Sequence, residues 1–146
     1  AVEKLETYGV RAEIFSATSY GELRREGMAC DRYNRLHPTE DVKQPWIEQM
    51  LGKASVPVIA VSDNMAAVPD MIRQWVGGHY TVLGTDGFGR SDTREALRRF
   101  FEIDGAAIAL AALSALVRDG SIDGAVYAEA QAAFGVSTER EDITEL

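Results

Sequence analysis

The chain alternates between short apolar runs that suit strands and longer runs with helical spacing. Val2, Leu5 and Tyr8 recur at intervals of three and Gly9 follows. This predicts a short helix ended by a residue that accepts the left-handed conformation. Arg11 to Thr18 (RAEIFSAT) is expected to be a strand with both faces partly covered, because Ala12, Ile14 and Ser16 alternate with Glu13, Phe15 and Ala17. Tyr20 to Leu36 reads as a charge-rich helix. His37-Pro38 stops it, since the residue before proline is pushed out of the α region. Pro45 opens a further helix over Trp46 to Leu51. Val56 to Ser62 (VPVIAVS) is a β-branched run that fits a strand of a parallel sheet buried on both faces. Asn64 to Val76 is predicted helical, with Met65, Val68, Ile72 and Trp75 or Val76 on one side, and Gly77-Gly78 breaks it. Tyr80 to Gly84 (YTVLG) is the third strand. The order strand, helix, strand predicts a right-handed βαβ unit.

A loop from Gly84 to Asp92 leads into a helix over Thr93 to Glu102, with Asp92 and Glu95 as its capping box. Asp104 starts a second helix, which carries Ala106 to Val117 and ends at Gly120. Ser121 and Asp123 start a third, to about Phe134, with Val126, Ala130 and Ala133 or Phe134 on one face. Residues 136–146 are expected to be a loose tail, polar from Arg140 to Leu146. The fold class is therefore α/β with a mostly parallel sheet, and one domain over 1–146. Three strands are thin for a doubly wound fold, whose sheets carry about five. The helical pattern is also already running, uncapped, at residue 1. Both features predict a fragment whose first strand lies upstream.

Composition narrows the function. Apolar residues make up 46% and charged residues 26%, which is an ordinary globular balance. The formal net charge of −8 repels phosphate backbones and anionic lipid heads, so neither nucleic acid nor a membrane is an expected partner. The longest apolar run, Ala106 to Val117, is too short to span a bilayer. The start, Ala1-Val2-Glu3-Lys4, lacks the features of a secretory signal. The single cysteine, Cys30, cannot form an internal disulfide and suits a reducing compartment, taken to be the cytoplasm.

Chemistry-bearing patterns are few. Cys30 and His37 share a helical face, but nothing nearby lowers the thiol pKa, so Cys30 reads as a small side chain at least half-buried. His37 and His79 stand at no metal-ligand spacing, and Asp86 and Asp92 read as solvated acids. No GxSxG elbow occurs, and no catalytic residue or metal ligand is assigned. The loop Gly84-Thr85-Asp86-Gly87-Phe88-Gly89-Arg90-Ser91-Asp92 is the serious candidate. Glycines between a strand and a helix expose amides that hold anions, and Arg90 adds positive charge. Against this, the glycines fit neither dinucleotide nor P-loop order, and two aspartates oppose a phosphate. The loop is thus a tight turn that positions Phe88, or an anion or interface contact made by Gly84, Asp86, Gly87, Phe88, Gly89, Arg90 and Ser91. Phe88 is either tucked into its own core or presented to a partner. Trp46 and Trp75 face the same choice.

At this loop a resemblance enters. LGTDGFGRSDTREALRRFFEIDG (Leu83 to Gly105) resembles the C-terminal domain of the homodimeric-type pyruvate dehydrogenase, the thiamin-diphosphate-dependent first component of its complex. FSATSYGELRREGMACDRYNRLHP (Phe15 to Pro38), VPVIAVSDNMAAVPDMIRQWV (Val56 to Val76) and IALAALSALVRDGSID (Ile108 to Asp123) resemble further stretches of that family in collinear order, to about Gly135. The resemblance implies the third domain of a transketolase-like enzyme, a three-layer sandwich with a mixed sheet of about five strands. The parent enzyme would decarboxylate pyruvate and acetylate lipoyl groups. Its thiamin diphosphate and Mg²⁺ would be held by other domains, leaving none in this chain. Implied partners are those remaining domains, a second subunit of a homodimer and the lipoyl acetyltransferase component. Related 2-oxo acid dehydrogenases and transketolases share the domain more loosely. The alternative of a different class is a freestanding binding or regulatory module that uses the Gly84 to Asp92 loop.

Overall fold

The structure, a computed structural model, describes residues 1–52 and 56–139. The sheet has two parallel strands among these residues: β1 (Val58–Val61) and β2 (Tyr80–Leu83), with Val58 opposite Tyr80 and Val61 opposite Leu83. Both are shorter than their apolar runs. Helices α1 (Val2–Glu6), α2 (Tyr20–Leu36) and α3 (Trp46–Leu51) precede β1. Between the strands stand α4 (Ala67–Asp70) and a 3-10 turn (Arg73–Trp75). After β2 come α5 (Arg94–Phe100), α6 (Gly105–Arg118) and α7 (Gly124–Phe134).

Two cores lie on either side of the sheet. Val58, Ala60, Tyr80 and Val82 turn one face towards Ile72, Trp75 and Val76, and Tyr20 and Leu23 of α2 with Ile47 and Leu51 of α3 close over them. The helix α6 lies against both strands but shares no residue with that cluster. It packs instead with Leu5 of α1 and Ala130 of α7 around Ala109, Leu110 and Leu113. The result is three layers: α2, α3 and the 3-10 turn, then the sheet, then α6 with α1 and α7.

The first layer is fixed by one close approach. A Cβ on Gly27 of α2 would sit 2.6 Å from the Trp75 ring, so the ring packs directly on the helix backbone. Asp31, one turn on, accepts from Trp75 Nε1 at 3.1 Å and from Gln74 Nε2 at 3.2 Å. Trp75 is therefore core, whereas Trp46 is 54% exposed.

Three expectations are corrected. Arg11 to Thr18 is not a strand: it pairs with nothing among the described residues and leaves Ile14 and Phe15 exposed. A strand sequence needs a ladder to settle on, and no described strand edge pairs with this one. The helix foreseen over Asn64 to Val76 is broken. Pro69 has no N–H to secure a turn before Ala67, and Ile72 leaves helical geometry at φ −104° and ψ 1°. The cap of α5 is Thr93, which accepts from Ala96 N at 3.3 Å. Asp92 instead accepts from the adjacent Thr93 N at 2.7 Å, which moves the cap one residue and puts Glu95 out of capping-box register. Elsewhere the punctuation holds. Gly9 takes φ 72°, and Asp104 and Asp123 cap α6 and α7. The stretch Arg94–Arg118 is apolar and long enough to suit a bilayer by composition. It is two helices interrupted at Phe101–Asp104, and the inner face of α6 is core. Of the expected tail, residues 140–146 lie outside the described residues.

Candidate functional site

In parallel α/β sheets, ligands and partners are met beyond the carboxyl ends of the strands. Here that edge carries two loops, Ser62 to Ala66 after β1 and Gly84 to Asp92 after β2. They are stapled to each other. Thr85 N donates to Asn64 O at 2.9 Å, and Thr85 Oγ1 to Asp63 O at 3.0 Å. The Asp86 carboxylate accepts from Ala66 N at 3.1 and 3.3 Å. Gly84 is buried at the crossing. A Cβ there would stand 2.4 Å from Ala66 N and 2.8 Å from Asn64 O, so only glycine allows the backbones to meet.

Beyond this anchor the loop is in solvent. Gly87, at φ 95°, turns the chain outward. Phe88 is 84% exposed, the most exposed large apolar side chain described. A Cβ added at Gly89 would meet nothing within 4 Å, so this residue leaves open space beside the ring. The Arg90 guanidinium lies 4.2 Å from the centre of the Phe100 ring, a cation–π contact that ties the outer loop to α5. Ser91 is exposed.

The structure thus brings Gly84 and Asp86 together with Ala66, and holds Phe88 and Arg90 apart from them. Ala66 N, the amide that faces Asp86 across the two loops, is already taken by its carboxylate. An anion would displace a carboxylate and then meet its charge, which weighs against a phosphate cradle. What the loop offers is a rigid base and a projecting aromatic. Sequence reasoning missed Asp63, Asn64 and Ala66 as its partners. The turn-forming run Ser62-Asp63-Asn64 was the available signal.

Other candidates resolve as structure. Cys30 is buried, and its Sγ lies 3.2 Å from Glu26 Oε1. Burial first, then the Glu26 hydrogen bond and charge, push the thiol above its ordinary value, the opposite of what a nucleophile needs. His37 caps α2, with Nδ1 2.9 Å from Tyr33 O and its ring stacked on Tyr33. His79 Nε2 meets Asp119 Oδ1 at 2.8 Å, joining the start of β2 to the end of α6. Among the described residues no group of three or more His, Cys, Asp or Glu could hold a metal ion.

Residues 1–104 match the family described as the transketolase-like TK C-terminal domain. The chain is 49% identical over 134 residues to the pyruvate dehydrogenase E1 component of Pseudomonas aeruginosa, covering 91% of the chain and 15% of that protein. It is 50% identical over 123 residues to the same component of Mycolicibacterium smegmatis, covering 84% of the chain and 13% of that protein. The Escherichia coli K12 component is 43% identical over 134 residues, again 91% of the chain and 15% of that protein. The chain thus spans a small part of the length of these relatives.

Proposed function

The chain belongs to the transketolase-like C-terminal-domain family, and from that premise we propose that it is the C-terminal domain of a pyruvate dehydrogenase first component. The observation that carries this reading is the 49% identity over 91% of the chain to such a component. The parent protein would decarboxylate pyruvate on thiamin diphosphate and pass the acetyl group to lipoyl groups of an acetyltransferase component in the cytoplasm. This chain would form one domain over 1–146, and its own work would be architectural. It would pack against the neighbouring domains and support a homodimer.

The Gly84 to Asp92 loop supports that division of labour. Its base is locked by Gly84, Thr85 and Asp86, and it presents Phe88 between Gly87 and Gly89, with Arg90 and Ser91 at the rim. A solvent-facing aromatic beside a pinned base is the kind of anchor that fills a pocket on a partner surface. We assign it to the contact with the rest of the parent enzyme.

The test is an activity assay on the chain alone with pyruvate, thiamin diphosphate and Mg²⁺. No turnover is expected. Decarboxylation by this chain would place a catalytic site inside it and sink the architectural reading.

A further inference from the structure

The chain carries a net charge of −8, yet the stretch that follows the exposed Phe88 is basic. Residues 90–99 hold four arginines against Asp92 and Glu95. Arg94 and Arg98 stand four residues apart on α5, so they lie on one face of that helix. Both are exposed, whereas Leu97 and Phe100 on its other side are half-buried. Among the described residues neither Arg94 nor Arg98 pairs with a carboxylate, while Arg99 is engaged within the chain. Glu95 is the acid that shares their exposed face, and Asp92 is turned back onto Thr93 N.

The helix itself accounts for only one of the two. Arg98 lies in the last turn of α5, where a cation suits the negative end of the helix. Arg94 is the first residue, directly after the cap Thr93, where the positive end disfavours a cation. A glutamate there would suit the helix end and would pair with Arg98 four residues on. The charge of Arg94 is thus not explained by its own helix, and no described carboxylate takes it up. The ridge also adjoins the loop before it. Arg90 lies over the Phe100 ring, which ties the loop that presents Phe88 to the helix that presents Arg94.

We propose that Arg94 and Arg98 form a basic ridge that pairs with carboxylates on a neighbouring domain of the longer polypeptide, beside the pocket that takes Phe88. This deepens the reading of Phe88 as an anchor and rests on the chain being one domain of a larger protein. The relatives leave ample length for such a surface outside the 13–15% that this chain spans. Charge then sets how the surfaces meet. The chain as a whole is acidic, so a carboxylate-bearing partner is drawn to this ridge and repelled elsewhere.

Arginine labelling with phenylglyoxal, read by peptide mass spectrometry on the chain alone and on the longer polypeptide, tests this. Arg94 and Arg98 should react freely in the chain alone and about 10-fold more slowly in the longer polypeptide. Arg94→Glu supplies the charge test, because its two effects have opposite signs. It should leave the melting midpoint of the chain alone unchanged or raised, and should lower that of the longer polypeptide. Arg94→Lys, which keeps the charge, should restore most of that loss. Equal labelling in the two proteins, or an equal loss of midpoint in both, would overturn the ridge while leaving the domain reading standing. Light scattering that shows the chain pairing with itself, and losing the pairing on Arg94→Glu, would make the occupant a second copy and overturn the proposal too. A reading frame confined to this chain would overturn both readings. If Arg94→Glu fails to fold, the labelling rates of the unaltered proteins still decide.

Discussion

Two glycines show how local geometry sets stability at the residue scale. Gly27→Ala would drive a methyl to within 2.6 Å of the buried Trp75 ring. Overpacking costs about 1–3 kcal/mol, and alanine returns at most ~1 kcal/mol of helix propensity, so the clash wins. Gly84→Ala meets backbone atoms of Ala66 and Asn64 rather than a ring. These cannot turn aside, so its loss should be the larger of the two, about 3 kcal/mol. Urea unfolding of both variants checks the order; a Gly84 variant milder than the Gly27 variant would contradict the stapled loops. Tyr80 adds a pH dependence. Its hydroxyl is buried and donates to Pro69 O at 2.7 Å. Burial first, then the charge of Tyr20 and Asp70, raise its folded pKa above the ordinary 10.0. Above that pH the unfolded chain releases the proton while the folded chain retains it, so stability falls as pH rises beyond about 10. Cys30, raised chiefly by burial from 9.0, steepens the same slope from about pH 9. Tyr80→Phe should flatten the alkaline limb, measured as midpoint against pH. An unchanged limb would remove Tyr80 as its source.

At the scale of elements, α6 is the helix on which the second core is built, and Asp104 holds its start by accepting from Ala106 N at 3.0 Å and Ala107 N at 2.8 Å. Asp104→Ala should cost about 1 kcal/mol, and up to 2 kcal/mol, because both donors lose their partner at the positive end of the helix. The urea midpoint should drop with an unchanged slope, while Thr93→Ala on the short, exposed α5 should move it less. Elements of this kind were legible in the sequence because their signals are local. Asp104, Asp123 and the glycines at helix ends act within one or two turns of where they stand. The Val58–Val61 run and Tyr80–Leu83 were legible because each is an unbroken apolar or β-branched run, although only Ala60 and Tyr80, on one face, are fully buried. What failed depended on distant partners. Arg11 to Thr18 has strand composition but no ladder, and composition cannot report whether an edge is within reach. Asp92 looked like a cap because it precedes the helix, yet only backbone geometry reveals that Thr93 took the role. The loop after β2 was visible as glycines around an aromatic. Its fastening to Asn64 and Ala66, some 20 residues earlier, was not.

At the scale of the whole molecule, Phe88 separates a domain that works alone from one that works as a part. In this chain the ring lies in solvent and touches no core, so Phe88→Ala should change its stability by no more than about 0.5 kcal/mol. An aromatic anchor seated in a partner pocket costs about 2–4 kcal/mol when truncated. The same substitution in the full-length parent enzyme should therefore lower its melting temperature or dimer affinity, while the chain alone unfolds at an unaltered midpoint. The contrast matters more than either value. A ring tucked into its own fold would destabilise both proteins equally, and a ring with no partner would destabilise neither. The locked base strengthens the expectation. Gly84, Thr85 and Asp86 hold the loop before any partner arrives, so little ordering entropy opposes docking and the contact energy of the ring reaches the interface largely intact. Asp86→Asn weakens the hold on Ala66 N without touching Phe88. If the loop is a preformed anchor, that variant should share part of the Phe88 loss in the full-length enzyme. A loss confined to Phe88 would mean that the ring docks without help from its base.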